Sequence, residues 1–161
     1  MSAYAIIAEY NPFHNGHKYL AECAKQDGAG TIIAVMSGNW VQRGDAAILP
    51  KFLRTEQALS SGIDIVLELP TYYAMATAQK FALGAAEIIK NTGADTLIFG
   101  SECGDADIIC KTADAVYSDE IKPLIAEELK KGISFAAARE NALRTMNPSY
   151  ADIISTPNNI L

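Results

Sequence analysis

The stretch AEYNPFHNGHKYL, residues 8–20, holds the only two histidines of the chain, His14 and His17, with Asn15 and Gly16 between them. Two imidazoles at i, i+3 face the same way on a helix, and both can donate N–H bonds to phosphate oxygens. Gly16 removes a side chain where a phosphate would approach the backbone. A helix starting near Asn15 or Gly16 would add unpaired main-chain N–H groups and the positive end of its dipole to the same anion site. A metal site needs a third ligand, and none stands nearby in the sequence. A solvated helix face is the alternative that asks nothing of the histidines.

Such a site needs a strand before it and a helix after it. Four apolar segments read as strands: Tyr4–Ala8, Thr31–Met36, Ile63–Leu67 and Thr96–Phe99. They are rich in Ile, Val, Leu and Ala without alternation, the pattern of parallel strands buried on both faces. Between them, Asn15–Gln26, Lys51–Ser60 and Thr77–Asn91 show helical spacing, with Pro50 suited to a first helical position. Beyond Gly100, the segments Ala106–Tyr117, Glu120–Lys131 and Phe135–Arg144 read as amphipathic helices with no further strand. The expectation is an α/β fold, a Rossmann-like doubly wound parallel sheet. One domain over 1–161 is expected, with an α/β core to about 103 and a mostly helical extension over 104–161. In such sheets ligands bind beyond the carboxyl ends of the strands, where His14 and His17 would lie.

Half of the 161 residues are apolar, enough for a proper core. The formal net charge of −6 argues against broad, sequence-independent binding of nucleic acid. Cys23, Cys103 and Cys110 form no Cys-x-x-Cys pair and read as free thiols. No apolar run reaches membrane-spanning length, and no basic-then-apolar leader opens the chain, so a cytoplasmic protein with no membrane partner is expected.

The other strand ends carry polar or permissive residues. In SGNWVQRGD, residues 37–45, Gln42 and Arg43 can meet an anionic substrate or RNA; the alternative is a surface loop whose Trp40 packs on the core. Lys51 and Arg54 add positive charge for phosphate or RNA, or else sit on a solvated helix face. Glu68 reads as half of a structural ion pair, or as orienting a basic loop residue or a magnesium-bound water. Gly100, ending the fourth strand, would let an adenosine lie against bare backbone. No Ser, Cys or Lys has the partnered base that marks a covalent nucleophile.

The quartet His14-Asn15-Gly16-His17 has the His-x-Gly-His form of the nucleotidylyltransferase superfamily, which includes class I aminoacyl-tRNA synthetases. Extended over AEYNPFHNGH, VMSGNWVQRGDAA, KFLRTEQALSSGIDIVLELP, FGSE and PNNIL, the chain closely resembles the bacterial tRNA(Met) cytidine acetate ligase family. The resemblance implies activation of acetate by ATP to acetyl-adenylate, then acetylation of N4 of the wobble cytidine of elongator tRNA(Met). It implies His14 and His17 as catalytic residues and Mg²⁺ accompanying the ATP. It further implies ATP binding by Ile7, Ala8, Glu9, Tyr10, Asn11, Pro12, Phe13, His14, Asn15, Gly16, His17, Lys18, Tyr19 and Leu20, with Gly100, Asn158 and Asn159.

The superfamily adds a second basic motif of Ser-x-x-x-Arg type. Ile153-Ile154-Ser155-Thr156 begins like one, but runs into Pro157-Asn158 with no arginine following. Chains of this family are longer, so the sequence reads as an N-terminal portion, expected to bind ATP weakly and not to acetylate tRNA alone. Two other readings stay open: an adenylyltransferase acting on a small phosphoester, and a nucleotide-binding module without catalysis.

Overall fold

The computed structural model describes residues 2–42 and 44–156. Arg43, Pro157, Asn158 and Asn159 of the reading above therefore lie outside the described residues. The chain divides into two compact units, residues 1–99 and 100–161.

The first unit alternates strand and helix: β1 (Ser2–Ala8), α1 (Asn15–Gln26), β2 (Ala29–Ser37), α2 (Lys51–Ser60), β3 (Ile65–Leu69), α3 (Thr71–Ala74), α4 (Ala78–Thr92) and β4 (Thr96–Leu97). All pairings are parallel, in the order β3-β2-β1-β4. Ile6, Ile32, Ala34 and Met36 bury one sheet face against Ala21 and Ala24 of α1 and Ala58 of α2. Val35 and Leu69 bury the other against Phe81 and Ala85 of α4. Small residues on the helices let them lie close over the branched residues of the sheet. This is the expected doubly wound arrangement.

The strands differ from their expected limits for local reasons. β3 starts two residues late because the Asp64 carboxylate accepts the Ile32 N–H and the Lys25 ammonium, each at 2.7 Å. Those partners hold the Asp64 carboxyl below its usual range. β3 is also an edge strand, and Ile65 is 43% exposed rather than buried on both faces. Pro50 is the residue before α2, not its first, because the Lys51 N–H is taken by Asn39 Oδ1 at 3.0 Å. α4 ends at Gly93, whose φ of 77° is a left-handed stop that glycine adopts without steric penalty.

The second unit, among the described residues, is helical: α5 (Ala106–Tyr117), α6 (Ile121–Leu129), α7 (Phe135–Met146) and α8 (Pro148–Ile154). Ala115, Ile121, Ala142, Leu143 and Ala151 form its core. Asp105, Ser134 and Asn147 accept main-chain N–H bonds at the starts of α5, α7 and α8.

Candidate functional site

β1 lies between β2 and β4, so the chain leaves the sheet to opposite sides on either side of β1. A crevice opens at the carboxyl ends of the strands at such a point. The β1–α1 loop occupies that position. It passes through Glu9 and Tyr10, turns at the cis-linked Asn11-Pro12, and enters α1 at Asn15. Tyr10 has a φ of 49° and its side chain is 1% exposed. Its ring meets Phe13 at 4.9 Å and His17 edge-on at 4.8 Å. Burial pushes its phenol above the ordinary value.

His14 is the N-cap of α1. Its Nδ1 accepts the Gly16 N–H at 3.1 Å, while His17 Nδ1 accepts the His14 N–H at 3.2 Å. The pair therefore forms a capping box with imidazoles in both positions. The rings stack, with centroids 3.6 Å apart and planes at 20°. With both Nδ1 atoms accepting, each neutral ring carries its proton on Nε2, and both Nε2–H groups are left as donors. Burial, and secondarily the neighbouring His14, lowers the His17 pKa from 6.5 to about 4. At neutral pH, His17 is an uncharged donor.

Two details differ from the sequence reading. The Gly16 and His17 N–H groups, counted as free for an anion, are engaged by His14 Nδ1 and the His14 carbonyl. The space that a Gly16 Cβ would fill lies 3.0 Å from His14 Cε1. The glycine first of all makes room for the capping ring.

Of the remaining candidates on this segment, Ile7 and Ala8 lie in β1, and Ala8, Phe13 and Leu20 pack on the core. Asn15, Lys18 and Tyr19 are exposed, and Pro12 with them. Asn11 Oδ1 accepts the Ile48 N–H at 2.7 Å, and Glu9 Oε1 accepts the Gln42 N–H at 2.7 Å. Asn11 and Glu9 thus tie the β1–α1 loop to the β2–α2 loop, and Asn39 closes the latter onto the start of α2. Only the habit of such side chains to accept main-chain bonds in loops hinted at this in the sequence.

Arg54 corrects the expectation that its charge faces phosphate, RNA or a solvated helix face. Arg54 is 0% exposed; its guanidinium donates to the carbonyls of Leu49, Glu9 and Gly38. A fully buried side chain held on three main-chain carbonyls meets neither RNA nor solvent. Lys51 is paired with Glu68 at 2.6 Å, the structural ion pair among the readings of Glu68. Gln42 is held by its main chain as above. Trp40 is 45% exposed, so it does not close the core. Gly100 opens the second unit, exposed, with nothing within 4 Å of where a Cβ would stand. Among the described residues, no cluster of three His, Cys, Asp or Glu side chains is placed to hold a metal, and no helix is long and apolar enough to cross a membrane.

Comparison with known proteins places this geometry. A tRNA(Met) cytidine acetate ligase of Caldicellulosiruptor saccharolyticus is 48% identical over all of this chain and 40% of its own length. The ligase of the same name from Bacillus subtilis is 46% identical over all of this chain and 40% of its own. The chain thus spans about 40% of the length of the curated relatives it matches. The crystal structure of Thermotoga maritima TmcAL bound with alpha-thio ATP superposes with a TM-score of 0.92 at 40% identity, over 99% of this chain and 41% of that one. The model of the HIGH nucleotidyl transferase family matches residues 1–161. With that match end to end, and with the paired histidines capping the first helix of a parallel sheet, the chain belongs to the HIGH nucleotidyl transferase family.

Proposed function

We propose that the chain carries the nucleotide site of an ATP-dependent tRNA(Met) cytidine acetate ligase. The observation that carries this reading is the stacked His14–His17 pair at the start of α1, with two Nε2–H donors at the carboxyl end of β1. The names of its relatives, and the ATP analogue in its solved neighbour, support the same reading.

In the reaction proposed, a carboxylate oxygen of acetate attacks the α-phosphorus of ATP, and pyrophosphate leaves with the bonding electron pair. The product is acetyl-adenylate. N4 of the wobble cytidine of elongator tRNA(Met) then attacks the acetyl carbon, AMP leaves, and the amine gives up a proton. No protein nucleophile is needed. The task of the chain is to hold the triphosphate and offset the charge that builds on it. The two Nε2–H donors suit that role, because the Nδ1 bonds to the main chain hold both rings already oriented. Mg²⁺ enters as part of the nucleotide substrate, MgATP. The cytoplasm, where tRNA is found, is the compartment this reading implies.

Pyrophosphate release measured with ATP, with and without acetate and tRNA(Met), tests the proposal. Release that depends on acetate supports it. Release that depends instead on a small phosphoester, or ATP binding with no release under any condition, would replace it with one of the two other readings.

A further inference from the structure

Arg54 is the only charged side chain among the described residues that is fully buried. A guanidinium taken out of water must be matched by well-placed acceptors. Arg54 has three. Nη1 donates to the Glu9 carbonyl just past β1, Nη2 to the Gly38 carbonyl just past β2, and Nε to the Leu49 carbonyl, 3.0 Å away, just before α2. One planar fork therefore spans the ends of both strands whose loops shape the crevice. Lysine, whose three N–H donors radiate from one nitrogen, cannot reproduce that planar spread. The tie continues toward the histidines. Glu9 is followed by Tyr10, held at φ 49°, and the Tyr10 ring meets His17 edge-on at 4.8 Å. Glu9 also fixes the neighbouring loop, because its carboxylate accepts the Gln42 N–H at 2.7 Å.

We propose that Arg54 is a positioning residue of the nucleotide site: by holding the ends of β1 and β2 at one spacing, it sets Tyr10 and thereby the orientation of the His17 ring. The inference rests on the reading of that site as one for ATP. Burial lowers the guanidinium pKa, while Glu9 and Glu68 nearby oppose that shift; a guanidinium is basic enough to stay charged in a protein.

The test compares wild type with Arg54→Lys, reading ¹⁵N signals of the His17 ring against pH and MgATP affinity by calorimetry. In the wild type, His17 is expected as the Nε2–H tautomer, titrating near 4. In a folded Arg54→Lys chain its signals shift, its titration moves up toward 6.5, and MgATP binds roughly tenfold or more weakly. Unchanged His17 signals in that variant overturn the inference, whatever its ATP affinity. A wild-type chain that takes up no MgATP overturns the site reading instead and leaves the His17 comparison standing. Should Arg54→Lys not fold, the wild type decides. Slow exchange of the Arg54 Nε–H and a shift of its signal on adding MgATP are expected; a signal that exchanges fast, or that does not move although calorimetry shows MgATP bound, overturns the proposal.

Discussion

His14 and His17 occupy each other's chemistry: their rings stack at 3.6 Å, and each Nδ1 is held by a main-chain N–H of the turn they share. Backbone geometry thus selects the tautomer that presents Nε2–H. Protonating His17 would force its Nδ1 to stop accepting the His14 N–H. The helix cap and the site's charge state are one system.

That coupling has a pH signature. The folded-state pKa of His17, about 4, lies below its ordinary 6.5, so the unfolded chain takes up the proton more readily between those values. The stability contributed by neutral His17 is full above about pH 6.5 and is lost as pH falls through about 4. Urea unfolding of wild type and His17→Gln at several pH values isolates it from the carboxylates. Glutamine keeps a capping side chain at this position but does not titrate. Wild type should lose stability relative to His17→Gln on going from pH 6.5 to 4. A difference that stays flat across that window would contradict the assignment.

Gly16→Ala separates the cap from the fold. An added Cβ would sit 3.0 Å from the His14 ring, which must give by a few tenths of an ångström and so weakens its bond from the Gly16 N–H. Losing an N-cap costs about 1 kcal/mol, and alanine returns up to about 1 kcal/mol over glycine in a helix. The melting temperature should therefore hardly change. MgATP affinity should fall roughly tenfold, because the Nε2 donor moves with the ring. Unaltered affinity would show that the ring's position does not matter to the nucleotide.

The strand–helix rhythm of residues 1–99 and the start of α1 were legible because apolar runs, glycines and the His-x-Gly-His spacing all report on local structure. α8 was announced by Asn147-Pro148, a cap followed by a proline in the first turn, yet its seven residues show too little periodicity to be read. α3 has four. Arg54 was misread for a deeper reason. Whether an arginine on a helix faces water or three carbonyls depends on loops 16 and 45 residues away, which helical spacing cannot see. The capping use of both Nδ1 atoms was hidden likewise, since His is an uncommon partner in a capping box.

Gly84→Ala probes the packing under the sheet. A Cβ there would overlap the root of the Tyr73 ring, its Cβ, Cγ and Cδ1, where α3 meets α4. Those atoms lie close to the backbone and cannot swing clear as the far end of a flexible side chain would. Overpacking costs about 1–3 kcal/mol, against about 1 kcal/mol that alanine gains in a helix interior. The net effect should be destabilising, seen as a lower urea midpoint with an unchanged slope. A midpoint equal to or above wild type would mean that α3 yields without cost.

Charge separates the two ligands of the proposed reaction. His17 is neutral at pH 7, Arg54 is buried on carbonyls, Lys51 is paired with Glu68, and the chain carries −6 overall. A compact triphosphate can still be held by a few oriented donors and its own Mg²⁺, because short hydrogen bonds to charged oxygens need no wide field. A polyanionic tRNA needs many phosphate contacts, and its binding weakens steeply with salt. This chain should therefore bind MgATP measurably, with His17→Ala weakening it about ten- to hundredfold, and should not shift tRNA(Met) on a gel at physiological salt. Calorimetry and the gel shift check the two halves separately. Tight, salt-sensitive tRNA binding by this chain would place an RNA surface on it that neither its charge balance nor its described basic residues anticipate.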